Sequence, residues 1–446
     1  MGKPILFVPG FPASELRDRS TGRIVFPPPL STLIDPQEKA ALIARLTMVP
    51  GDLVAGPPIR DVLGIAKQAQ SLYDILGGKF AYDTSELSDD FAAIGWDWRR
   101  SISDSAAMAT LVAAVDRLSQ GGARKLVAMV HSTGGLLFRA FLETHPALAT
   151  DFEQVMAFGV PWCGTLDALF AATRGVSEGF LFAKISASEG AEVVSHAQAA
   201  YDLMPSDPSS GLFAANGAAA TPLSDQSWIP PETDHDYMRR LASAAHGPFA
   251  RRFDDLPVTN VCGWGIGTLP SASVDHGVLT FDDPVKDAGD GTVPIVSSSW
   301  LRGTSVRTMY LPIGSYPAAN IPYPHKRIWD SPPVLQLFEE VLHDAPRQPF
   351  VCVAADSDDA IDYHRDVDVR MSAVGPDGNP LPGCKATVDI DGLKTVVDFN
   401  GAARMAFKLM RVGIHHNAGS DLYRFTVTFR WQGGGPVKRV VVIRAL

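Results

Sequence analysis

The sequence predicts an α/β core carrying helical insertions, followed by a smaller all-β unit, and three observations carry that prediction. Short apolar runs without helical period recur at Ile5-Leu6-Phe7-Val8, Leu126-Val127-Ala128-Met129-Val130, Val155-Met156-Ala157-Phe158 and Val258-Thr259-Asn260-Val261, each ending in a turn. Helix-compatible segments lie between them. From about residue 349 the texture changes to alternating β segments separated by turn signals.

With 446 residues, 46% hydrophobic and 20% charged, the chain has ample length for a core and suits two domains. Its 39 basic and 49 acidic residues give a net charge of −10 without a Lys/Arg-rich run, which argues against a nucleic-acid partner. Peripheral membrane contact must then rest on apolar surface. No apolar stretch reaches the roughly 18–20 residues that span a bilayer. A strand begins almost at once and no leader is visible, so the chain as written reads as cytoplasmic, with secretion open if a leader was removed. Leu6 stands where a myristoylation signal needs Ser or Thr. Cys163, Cys262, Cys352 and Cys384 lack metal-ligand spacing, so buried free thiols are expected, with a disulfide or two as the alternative, and no metal or cofactor. The oligomeric state is open.

In chain order, the first strand stops at Pro9-Gly10, a loop able to turn sharply. In a serine hydrolase such a loop supplies one oxyanion donor, here assigned to the Phe11 N–H. Residues 21–80 alternate Pro-rich and apolar helical pieces, which suits a lid or interfacial surface over about 30–82, or a helical hairpin packed on the core. A strand from Phe91 ends in Trp96-Asp97-Trp98-Arg99. Asp97 and Arg99 are expected to pair and fix the loop, with Trp98 as an apolar wall; Arg offers neither nucleophile nor base. Residues 105–118 read as an Ala-rich helix.

Strand, tight turn and helix then meet at His131-Ser132-Thr133-Gly134-Gly135. A serine held out of the sheet on such a turn becomes a nucleophile when a base reaches it and N–H groups surround it. Val130 occupies the first Gly of the usual Gly-x-Ser-x-Gly form, while Gly134 keeps the second. Thr133 supplies the second oxyanion N–H, and His131 is expected to serve packing. After a strand ending at Trp162-Cys163-Gly164, residues from about 166 to 255 read as a helical cap shaping the substrate pocket, with candidate helices over 186–200 and 233–245. Trp162 and Met204, like Trp98, are substrate-wall candidates.

Two later loops, Gly289-Asp290-Gly291 and Tyr323-Pro324-His325, supply an acid and a histidine in the order Ser, Asp, His that α/β-hydrolases use. Ser132 would attack a carbonyl, His325 take and return the proton, and Asp290 orient the imidazole. His196, His235, His246 and His276 precede Asp290, the wrong order.

With these residues in place, the chain resembles the lecithin:cholesterol acyltransferase and phospholipid:diacylglycerol acyltransferase family. The matches are Val8-Pro9-Gly10 near Ser14-Glu15-Leu16, Asp97-Trp98-Arg99, His131-Ser132-x-Gly134-Gly135, Gly159-Val160-Pro161-Trp162-x-Gly164, Leu203-Met204-Pro205, Gly289-Asp290-Gly291-Thr292-Val293-Pro294 and His325, in order through about residues 4–340. The resemblance implies an α/β-hydrolase core, an acyl-serine intermediate, lipid esters as donors, and Ser132, Asp290 and His325 as the triad. Thr133 departs from the family's commoner Met. The lid stretch contains no cysteine, so a disulfide-closed lid and lipoprotein binding are not implied.

Alternating segments from Val367 to Ile443, with turns such as Pro376-Asp377-Gly378 and Gly433-Gly434-Gly435, suggest a small immunoglobulin-like sandwich after an acidic hinge at 354–359. The expectation is therefore a catalytic unit over 1–348 and a β-sandwich over 349–446. The activity expected is a serine-dependent lipid ester hydrolase or acyltransferase. An esterase on short or polymeric esters, or a non-catalytic binding protein on a hydrolase scaffold, are the alternatives.

Overall fold

Six strands form one all-parallel sheet: β1 (Ile5–Val8), β2 (Phe91–Ala93), β3 (Leu126–His131), β4 (Phe152–Phe158), β5 (Val258–Trp264) and β6 (Val306–Pro312). Their order across the sheet is β6-β5-β4-β3-β1-β2. This computed structural model describes residues 2–49, 51–62, 66–67, 69–85, 88–175, 185–207, 211–214, 217–229, 240–241, 244, 256–301, 305–313, 324–345, 350–355, 366–375, 381–390, 393–399, 402–408, 422–432 and 434–444.

Parallel strands covered on both faces need apolar side chains at every position, which is why the central runs show no alternation in sequence. All six residues of β3 are buried. The pleat still divides them: Leu126, Ala128 and Val130 enter one core with Leu6 and Val8, whereas Val127 and Met129 enter a second with Ile5 and Phe7.

Five helices matter for the site: α1 (Pro36–Thr47), α2 (Ser105–Ser119), α3 (Thr133–Thr144), α4 (Leu166–Arg174) and α5 (Pro332–Leu342). Asp104 caps α2 by accepting from the Ala106 and Ala107 N–H groups. The α2 stripe Ala107, Leu111, Ala114, Val115 and Leu118 then fills the first core. On the other face α5 contributes Val334, Leu337, Phe338 and Val341 to the second. Helices thus cover both sides of the sheet.

The 21–80 stretch expected to hold helical pieces or a lid contains α1 and the strands Ile24–Phe26 and Leu53–Pro58, which pair on either side of Ser14–Asp18 in an antiparallel sheet. Leu42, Ile43, Leu46, Leu53 and Ile59 are buried in the first core. Leu53, Val54 and Ala55 pair with Asp18, Arg17 and Leu16, and the Gly56-Pro57 step, which would break a helix, falls at the register shift before Pro58 meets Ser14.

Arg99, 1% exposed, forks onto Asp97 at 2.9 and 2.7 Å, as expected, and its remaining nitrogen donates to the Arg45 and Met48 carbonyls at 3.1 and 3.2 Å. The pair ties the end of α1 to the loop after β2. Asp97→Ala would strand a buried guanidinium, and a loss of about 3–5 kcal/mol in unfolding free energy is expected by denaturant titration. A loss below about 1 kcal/mol would show that the two carbonyls suffice.

Leu212–Phe213 and Ala219–Ala220, inside the stretch expected to be helical and irregular, join Ala272–Asp275 and Val278–Phe281 from beyond it in a four-stranded sheet. The candidate helix over 233–245 lies almost wholly outside the described residues, as does most of the acidic hinge. Further on, β7 (Phe350–Ala355), β8 (Asp366–Val374), β9 (Cys384–Ile390), β10 (Leu393–Phe399), β11 (Ala402–Lys408), β12 (Leu422–Trp431) and β13 (Gly434–Arg444) are antiparallel. They make two sheets, β7-β8-β11 and β10-β9-β12-β13. Cys163, Cys262 and Cys384 are buried thiols.

Candidate active site

The site forms where β3 runs into α3 with no intervening loop. Ser132 takes φ 53° and ψ −132°, outside the ordinary regions for an L-residue, and its N–H donates to the Phe158 carbonyl at 3.0 Å. The Gly135 N–H returns to the Ser132 carbonyl at 3.0 Å and starts the helix. Such a sharp turn leaves no room behind it: a Cβ on Gly134 would stand 2.2 Å from the Val8 carbonyl oxygen. The two glycines after Thr133 are thus there for close approach.

The loop after β1 passes directly over this turn. A Cβ on Gly10 would lie 2.6 Å from Ser132 Cβ and 3.1 Å from its Oγ, so the loop that carries Phe11, the next residue, passes close to Ser132. Phe11 meets Trp98 edge to face at 5.3 Å, and Trp98 in turn packs on Phe26 at 4.9 Å. The Trp98 indole donates to the Ser14 carbonyl at 3.2 Å, and that of Trp96 to the Pro9 carbonyl at 3.0 Å. The Thr133 N–H opens α3 and so has no acceptor within the helix.

Asp290, 0% exposed, has both carboxylate oxygens committed. Oδ1 accepts from the Thr292 and Val293 N–H groups at 3.1 and 2.8 Å, and Oδ2 lies 2.6 Å from His325 Nδ1. A carboxylate only accepts, so Nδ1 carries the proton and Nε2 presents a lone pair. Nε2 is buried with no hydrogen-bond partner among the described residues. The acid loop is braced from α4's cap, where Thr165 Oγ1 donates to the Thr292 carbonyl at 2.8 Å. Two residues on, burial and the Asp290 charge push the Asp167 carboxyl up to about 7.

Both halves meet at the end of β4. Phe158 holds Ser132, and Gly159, at φ 54°, faces the other pair: a Cβ there would sit 2.8 Å from Asp290 Oδ2 and 2.9 Å from His325 Cε1. The structure therefore brings Asp290 and His325 into contact and sets them beside the Ser132 turn. No hydrogen bond joins Ser132 Oγ to His325 Nε2 among the described residues, a contact that unliganded sites often make only when substrate binds.

The rival histidines are elsewhere. His196 engages its own helix through the Glu192 carbonyl at 2.7 Å, His276 is 92% exposed beside Asp275, and His235 and His246 lie outside the described residues. Trp162 and Met204 are 4% and 0% exposed, and the Trp162 indole donates to Asn260 Oδ1 at 3.1 Å. Trp98, Trp162 and Met204 are all buried in the first core. Sequence reasoning missed His131, whose Nε2 lies 3.0 Å from the His325 carbonyl oxygen. A contact between residues 194 apart leaves no periodic signal. Among the described residues no group of three or more His, Cys, Asp or Glu side chains is placed to hold a metal, and no helix is long and apolar enough to cross a membrane.

Several known structures are similar to parts of this chain. Bacillus licheniformis lipase BlEst2 in its propeptide form is 12% identical over 99% of this chain and 93% of that one, with a TM-score of 0.32. Its mature form is 16% identical over 60% and 67%, with a TM-score of 0.24. A CARDB domain from Pyrococcus furiosus, in complex with di-metal ions, is 14% identical over 23% of this chain and 96% of its own, with a TM-score of 0.17. No curated protein sequence matches. The family model for lecithin:cholesterol acyltransferase matches residues 85–271, which include Ser132 but neither Asp290 nor His325. Over residues 85–271, the chain carries the sequence pattern of the lecithin:cholesterol acyltransferase family that its motifs resemble.

Proposed function

We propose that the chain is a serine-dependent lipid ester hydrolase or acyltransferase. The observation that carries this is the Asp290–His325 contact at 2.6 Å with Nε2 buried and unpartnered beside the Ser132 turn. An imidazole so held has its acceptor nitrogen available for one proton. Ser132 Oγ attacks the ester carbonyl while His325 Nε2 takes its proton, and the oxyanion rests between the Phe11 and Thr133 N–H groups. His325 returns the proton to the departing alcohol. Water or a second alcohol, deprotonated by His325, then releases the acyl group from Ser132.

Hydrolysis and transfer use the same residues and differ in how well the acyl-enzyme excludes water. We favour hydrolysis, since water is always at hand and no acceptor site can be read from the sequence or among the described residues. The lipid as donor rests on the family match over 85–271. Short or polymeric esters are the narrower alternative, and a non-catalytic binding protein is the alternative from another class. In this reading 1–348 is the catalytic unit, with its lid over about 30–82, its cap over about 166–255 and Trp98, Trp162 and Met204 backing the acyl pocket. The two antiparallel sheets beyond 349 would pack as an immunoglobulin-like sandwich.

Product analysis on phospholipid vesicles containing a sterol or diacylglycerol tests the assignment. Free fatty acid or new acyl ester is expected, and prior treatment with a fluorophosphonate should remove it; the ratio of the two products separates hydrolase from transferase. If vesicles and a chain-length series of simple esters all stay intact, and the phosphonate leaves the protein unlabelled, the binding-protein alternative takes over.

A further inference from the structure

The residue before the nucleophile is spent on the base. His131 is 6% exposed, with Nε2 3.0 Å from the His325 carbonyl oxygen. Its ring packs against the His325 ring at 4.7 Å between centroids, tilted by 39°, and meets Trp329 edge to face at 5.0 Å. The Trp329 indole itself donates to Ser71 Oγ at 2.8 Å, which fixes the ring that His131 packs against.

We propose that His131 is a positioning residue: its Nε2–H pins the His325 backbone and its ring packs against the His325 imidazole, so that the nucleophile's own strand sets the place of the base. The inference rests on the acyl-serine reading above. A carbonyl oxygen only accepts, so His131 must be the Nε2–H tautomer. Asp290 holds the His325 side chain at Nδ1, and His131 holds its main chain; two anchors determine where Nε2 points, where one would leave the ring free to swing. Because Ser132 follows His131 directly, any shift of β3 carries nucleophile and base together. Charge is consistent with the role: burial, and then the nearby His325, keep the His131 imidazole well below its ordinary range. A neutral ring adds no repulsion when His325 takes a proton.

His131→Phe keeps a ring and removes the donor, and His131→Gln restores an amide donor. For the Phe variant we expect kcat to fall by about tenfold to a hundredfold with KM within about twofold, at unchanged loading of substrate. The Gln variant should recover most of that loss. A Phe variant within about twofold of the parent kcat, or a Gln variant no better than Phe at equal melting temperature, would overturn the proposal. Imidazole ¹⁵N spectroscopy of the unmodified protein supplies a second test that needs no variant to fold. It should show His131 as the neutral Nε2–H tautomer at about pH 7; the Nδ1–H tautomer would sink the pin. A parent protein without phosphonate-sensitive ester cleavage would instead remove the acyl-serine reading, and the tautomer would still decide the contact.

Discussion

Ser132→Ala is expected to lower kcat for ester cleavage by about 10⁴-fold or more while leaving the fold in place. The oxygen lost is the only atom of the turn that can form the acyl bond in this reading, and the residue's backbone duties survive. The Ser132 N–H still donates to Phe158 and the Gly135 N–H to the Ser132 carbonyl, both at 3.0 Å. Alanine at φ 53° bears the same left-handed strain as serine, so the melting temperature should move little. Active-site titration with a fluorophosphonate gives the cleanest measurement. One equivalent is expected on the parent and none on the variant, and retained labelling at another serine would move the nucleophile.

Asp290→Asn should cost nearly as much, about 10⁴-fold in kcat, for a reason the hydrogen bonds dictate. The Thr292 and Val293 N–H groups both point at Oδ1, at 3.1 and 2.8 Å, and demand an acceptor there. An asparagine must therefore keep its oxygen at that position and turn its NH₂ toward His325. Nδ1 then becomes the acceptor and the ring carries its proton on Nε2, the nitrogen that has to receive the Ser132 proton. The variant holds the geometry and reverses the tautomer. Its KM should stay within about twofold of the parent, and a loss of less than tenfold in kcat would mean that Asp290 only braces the loop.

Order along the chain was readable because it follows from local chemistry. A parallel strand covered on both faces needs a continuous apolar run, so 126–130 and 155–158 announced themselves. A strand that passes into a helix without a loop needs small residues, so Ser132 stood out through Gly134 and Gly135. Asp290 and His325 were then found by order alone among several candidates, and the structure separates His325 from His196 and His276 by placing only the first at Asp290 among the described residues.

The sequence by itself determined the strand and helix periods of the core, the serine turn and the residue types available for acid and base. Tertiary structure alone decided what those residues touch. The Leu53–Pro58 strand exists because Ser14–Asp18 offers it partners, which its own prolines and glycine do not suggest. Gly10 and Gly159 are needed because the nucleophile and the Asp290–His325 pair pass within contact of their α carbons. His131 reads as one more buried strand residue until His325 folds over it from 194 positions away. Periodicity encodes which face a side chain takes, because backbone geometry repeats over a few residues. Contacts between distant segments arise from packing and carry no period, so they appear only when the chain is folded.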